Sequence, residues 1–125
     1  MQTLLRRISA APARTWQGVL ALLLVVVTYL ALTPKPLVGL ESGLDKVGHL
    51  LAFTALGFTG YLGFPTRTAL PFALLAYGGL IEVLQLFVPG RSAEWGDLLA
   101  DGIGIGVGIG LAALVITRSK AASML

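Results

Sequence analysis

Long apolar runs separated by short polar turns fill this chain, and four of the runs approach the length of a bilayer crossing. A hydrocarbon layer of ~30 Å takes about 20 helical residues at roughly 1.5 Å each. The first run, Trp16 to Thr33 (WQGVLALLLVVVTYLALT), carries no charged residue and predicts a helix that can face lipid over much of its surface. The second predicted helix runs from about Lys46 to Phe64, the third from Thr68 to Val88 and the fourth from Trp95 to Thr117. Between them lie PKPLVGLESGLD (Pro34 to Asp45), PTR (Pro65 to Arg67) and PGRSAE (Pro89 to Glu94), which are rich in turn formers and too short for a soluble domain. The pattern predicts an all-α membrane protein, a four-transmembrane-helix bundle that forms one domain over residues 1–125.

Composition agrees. The chain is 56% hydrophobic and 12% charged, far from soluble averages, so lipid is its expected solvent. It has no cysteine, which excludes a disulfide framework and thiolate metal sites. Its net charge of +3 is not arranged as a basic face interleaved with aromatics, so no nucleic-acid partner is expected. The cations read better as topology signals. Arg6, Arg7 and Arg14 precede the first run as in a signal peptide, but the run is long, Pro34 and Pro36 follow it, and no clear small-residue cleavage site appears, so it is expected to be retained as a span. Arg6, Arg7, Arg14, Arg67, Arg118 and Lys120 fall on one side of the spans, and Lys35, Lys46 and Arg91 on the other. That bias predicts both termini in the cytoplasm.

Polar residues gather at one end of the last three helices. Asp45 and His49, four apart, share a face at the start of the second, with Lys46 beside them. Glu82 and Gln85 share a face near the end of the third. In the fourth segment Ser92 is the expected N-cap, and Glu94, Asp97 and Asp101 follow on one face that Gly104 and Gly108 continue. Carboxylates there meet the positive end of the helix dipole, and Arg91 lies just ahead in the outer loop. Eight residues, Asp45, Lys46, His49, Glu82, Gln85, Arg91, Asp97 and Asp101, thus come to one predicted depth and form the expected ligand-binding set. Ionisable groups in hydrocarbon cost about 2.5–3.5 kcal/mol on insertion scales, so they turn inward and find partners.

Several readings of the cluster stay open. It could be an inter-helix network that only fixes packing, a binding site, or an acid–base site in which His49, Glu82 and Asp101 are the catalytic candidates. No activated Ser or Cys nucleophile accompanies it. His49 with carboxylate oxygens has the chemistry to hold a divalent cation, but no H-E-x-x-H or H-x-x-E-H spacing is present, so neither a dedicated metal centre nor a cofactor is expected. Gly102, Gly104, Gly106, Gly108 and Gly110 contain overlapping G-x-x-x-G spacings and predict close helix packing, within the chain or against a second copy. Trp95 reads as an interfacial anchor, and Phe53, Tyr61 and Tyr77 as packing or belt residues.

The arrangement Asp45-Lys46-x-x-His49-x-x-x-Phe53, then Glu82-x-x-Gln85, then Arg91-x5-Asp97-x3-Asp101-x2-Gly104 resembles the VanZ-like family of small bacterial membrane proteins, over roughly Leu44 to Leu114. The resemblance implies a multi-pass protein of the bacterial cytoplasmic membrane, in a family whose founding member is associated with reduced sensitivity to teicoplanin. The family commonly has Asn where this chain has Asp101, so an ionisable group replaces an amide here. Read with the residues, the resemblance implies an outer-face pocket for a polar lipid headgroup, a lipid-linked envelope intermediate or a lipoglycopeptide. Arg91 and Lys46 would then meet anionic oxygens, and membrane lipids would be the partners.

Overall fold

A computed structural model of the chain describes residues 1–34 and 42–124, without the side chains of 42–44. It is all-helical among the described residues, with α1 (Gln2–Ala10), α2 (Ala13–Leu32), α3 (Ser42–Gly63), α4 (Leu70–Gln85) and α5 (Trp95–Ser123). Most of the expected Pro34 to Asp45 connection, Lys35 included, lies outside the described residues.

Two of these helices, α2 and α5, are long and apolar enough to cross a membrane, so the expected four-span bundle is seen only in part. α3 has the length, but Asp45, Lys46 and His49 occupy its first turns. α4 has 16 residues, about 24 Å of helix, short of a full hydrocarbon layer. It stops at Gln85, before the expected Val88, because Pro89 biases the residue ahead of it away from helical geometry. Gly90, at φ 77°, then takes the turn that an L side chain resists.

Two elements differ further. α1 does not appear in the apolar-run reading because its Leu4, Leu5 and Ile8 are interleaved with Arg6 and Arg7. It docks on the far end of α5: the Ser9 and Ser119 hydroxyls share a 2.6 Å hydrogen bond, and Arg6 donates to the Ala122 carbonyl at 3.2 Å. α5 is not capped by Ser92. Glu94 holds the N-cap position without a side-chain cap bond of its own, and its backbone N–H donates to the Glu82 carboxylate at 3.2 Å.

α3 and α5 form the closest pair, with α2 and α4 flanking them. The core between them is Leu20, Phe53, Leu56, Leu70, Leu74 and Ile105. Gly104 and Gly108 make the pairing: a Cβ on Gly104 would meet the Leu50 carbonyl oxygen at 2.7 Å, and one on Gly108 would strike the Thr54 carbonyl and the Phe58 nitrogen. Gly57 answers from α3, where a Cβ would meet the Ile105 carbonyl oxygen at 2.7 Å. Of the other expected packing glycines, Gly102 would bring only ordinary contact with Leu75, and Gly106 and Gly110 face open space. The track is therefore two-sided, because glycines two apart point to different faces of a helix. Large apolar side chains on the outer surfaces, among them Leu22, Val25, Phe72, Leu99, Ile103 and Leu111, remain uncovered. α2 has Leu20 alone buried, an exposure that suits lipid as the surrounding medium.

Candidate functional site

Four helix termini meet at one level: the end of α2, the start of α3, the end of α4 and the start of α5. Side chains tie them together. Arg91 donates from Nε to the Thr33 carbonyl at 3.1 Å and from Nη2 to the Leu30 carbonyl at 2.5 Å, and Gln85 Nε2 donates to the Ala31 carbonyl at 3.0 Å. These bonds satisfy carbonyls that a helix C-terminus leaves without partners.

His49 is the centre of the titratable cluster. Its Nδ1 shares a 2.7 Å hydrogen bond with Asp101 Oδ1, and Asp101 is fully buried. With Asp101 ionised and accepting from Nδ1–H, the other ring nitrogen carries the free lone pair in the neutral imidazole. That Nε2 lies 3.6 Å from Glu82 Oε1 and 3.9 Å from Asp97 Oδ2. The Phe53 ring lies parallel to the imidazole, 6.5 Å between centroids. On the exposed side Lys46 Nζ binds Glu94 Oε2 at 2.5 Å and stands 3.6 Å from Asp97 Oδ1.

All eight residues expected at one depth are at this level. Asp97, Asp101, Gly104 and Gly108 do share the buried face of α5, and His49, Glu82, Asp97 and Asp101 converge. Asp45, Gln85 and Arg91 lie toward α2, with Arg91 Nη1 3.9 Å from Asp45 Oδ1. The expected role of the cations differs, however. Arg91 is engaged by main-chain carbonyls and Lys46 by carboxylates, so neither presents a free charge to an anion. Burial lowers the Arg91 pKa from its ordinary value, but the guanidinium stays charged.

Among the described residues four buried side-chain atoms have no hydrogen-bond partner: Glu82 Oε1, Gln85 Oε1, Asp97 Oδ1 and Asp101 Oδ2. Each costs about 1–3 kcal/mol while unmet, so their concentration around one histidine marks a place that can receive a ligand. A cavity of about 190 Å³ lies on the α2 side, with Asp45, His49, Gln85 and Arg91 as its polar end and Val27, Leu30, Ala52, Phe53 and Ile81 among its apolar walls. A second, of about 540 Å³, opens on the other side against Glu82, Glu94, Trp95 and Leu98.

One supporting residue escapes the sequence reading, and Tyr77, expected only to pack or anchor, has a specific partner. Gly78 brings α4 against Asp101, where a Cβ would stand 2.6 Å from Oδ2. The Gly78-Gly79 pair inside an apolar helix was the signal available for such an approach. Tyr77 shares a 2.7 Å hydrogen bond with Thr28, tying α4 to α2, which no local pattern announces.

A family model described as VanZ/LLP1 matches residues 4–116 of the chain. Comparison with curated proteins and with solved structures gives no match.

Proposed function

The chain belongs to the VanZ/LLP1 family, and from that premise we propose that it is a four-span protein of the bacterial cytoplasmic membrane, both termini cytoplasmic, that binds the polar head of an amphiphile at its outer face. The amphiphile is a membrane lipid, a lipid-linked envelope intermediate or a lipoglycopeptide such as teicoplanin. One observation carries this reading: the 190 Å³ cavity has a polar end and an apolar wall side by side, as a headgroup joined to a chain requires. Gln85 Oε1, buried without a partner on that cavity, can accept from a hydroxyl or amine of the head.

Gly48 gives the test. It lines the cavity, and a Cβ there meets nothing within 4 Å, so Gly48→Leu adds apolar bulk at the cavity wall from a position whose Cβ strikes no neighbour. Wild-type protein extracted in polymer-bounded native membrane discs is expected to carry a lipid species that survives transfer to native mass spectrometry. Gly48→Leu is expected to lose it while keeping its thermal unfolding midpoint. Equal lipid retention by both proteins would sink the reading.

The His49–Asp101 hydrogen bond favours a second reading, acid–base chemistry on a membrane-embedded substrate, since a carboxylate behind an imidazole fixes its tautomer and orientation. Its test is turnover of envelope lipids that vanishes in Glu82→Gln. No product from any of them with wild-type protein would end it.

A further inference from the structure

A different feature of the cluster points to an inorganic ligand. His49, Glu82 and Asp101 can each offer one ligand atom with all three within 4.8 Å of one another. Asp101, however, already occupies Nδ1 at 2.7 Å, which is a hydrogen bond and leaves no room for an ion between them. The coordinating nitrogen is then Nε2, and the oxygens facing it belong to Glu82 and Asp97, at 3.6 Å and 3.9 Å.

Each separation from Nε2 suits a metal. Two ligands about 2.1 Å from a tetrahedral ion stand roughly 3.4 Å apart, so each oxygen has only a few tenths of an ångström to close toward the nitrogen, and a turn of the Asp97 side chain brings the two carboxylates onto one ion. The same separations are too long for hydrogen bonds from an imidazolium Nε2–H. Glu82 Oε1, which faces Nε2, is also buried without a hydrogen-bond partner, and the Asp97 side chain is 4% exposed, with its other oxygen 3.6 Å from Lys46 Nζ. Two carboxylates face one imidazole where solvent is scarce, with the single Lys46 ammonium beside Asp97, and a doubly charged ion between them would offset their mutual repulsion. Asp101 behind the ring completes the carboxylate–histidine–metal relay that fixes a ligand's tautomer and orientation. The 540 Å³ cavity reaches Glu82, one of the proposed ligands.

We propose that His49 Nε2, Glu82 and Asp97 hold one divalent cation of the zinc or manganese class, oriented by Asp101, with remaining positions open to water or to a ligand oxygen. One nitrogen and two carboxylate oxygens suit these ions better than magnesium, which prefers an all-oxygen octahedron. The inference rests on neither functional reading above. The ion would take the nitrogen that the acid–base reading uses as a proton relay.

The test is titration of chelator-stripped full-length protein in detergent with zinc, manganese and magnesium, followed by cobalt as a spectroscopic probe. Zinc or manganese is expected to bind at one ion per chain, and cobalt to give visible absorption bands. His49→Ala and Asp97→Asn are expected to lose both signals. Asp101→Asn keeps an acceptor for the ring N–H and is expected to retain the site with affinity lowered about 10- to 100-fold. Lys46→Ala removes the cation beside Asp97 without touching the ligands, and is expected to tighten binding. Should the two ligand variants fail to fold, the Asp101→Asn and Lys46→Ala shifts in opposite directions still decide the matter. Absence of zinc and manganese binding to folded wild-type protein overturns the proposal, as does binding that His49→Ala leaves unchanged.

Discussion

The middle of the α3–α5 pair and its polar end are built on opposite principles. In the middle, Gly57, Gly104 and Gly108 remove side chains so that two backbones touch, and dispersion across the seam supplies association that lipid cannot drive. At the end, Glu82, Asp97 and Asp101 are buried around His49 but leave acceptors without hydrogen-bond partners, and cavities open on both sides. The seam is closed by its own packing, whereas the polar end has acceptors left over.

The sharpest way to break that comparison is Gly108→Leu. Its side chain would strike the backbone of Thr54 and Phe58, neither of which can move aside alone. A loss of about 3 kcal/mol or more, or failure to fold, is expected in thermal unfolding in detergent. Gly106→Leu, two residues away and facing open space, is expected to be neutral or to raise stability by up to about 1 kcal/mol. If both variants unfold alike, the two faces of the glycine track do not differ as described.

Asp101→Leu comes next. It leaves the His49 Nδ1–H buried without its acceptor, and a loss of about 1–3 kcal/mol is expected by the same measurement. Asp101→Asn keeps an oxygen for that bond and should cost less than Asp101→Leu, which separates the bond from the charge. Arg91→Gln strips two donors from the α2 carbonyls, with an expected loss of about 1–2 kcal/mol and faster amide exchange confined to the end of α2. Gly78→Ala is the smallest perturbation: its methyl presses on Asp101 Oδ2, and a shift of about 1 kcal/mol is expected.

Much of the site could be read from spacing alone. Asp45 with His49, Glu82 with Gln85, and Asp97 with Asp101 each recur at helical intervals, and alternating up-and-down helices joined by short turns carry the three pairs to one level. Partner choice could not be read that way. Nothing in the intervals says that Arg91 reaches the carbonyls of α2, or that Glu82 accepts the Glu94 N–H ahead of α5, because both depend on how helices far apart in sequence are rotated about their axes. The fold shows the same division. Hydropathy located α2 and the core of α5, but it overlooked α1, whose short amphipathic run is not apolar enough to stand out. It also overextended α4, where turn chemistry around Pro89 overrides an apolar pattern that continues to Val88.

The backbone contact at Gly104 and Gly108 leaves no compressible layer between α3 and α5, so the two behave as a single stiff spar. His49, Asp97 and Asp101 ride on that spar, whereas Glu82 and Gln85 ride on α4 and the carbonyls held by Arg91 on α2. A guest lodged between these groups would therefore be gripped by a fixed jaw on one side and adjustable ones on the other, and its width would set how far the flanking helices stand off.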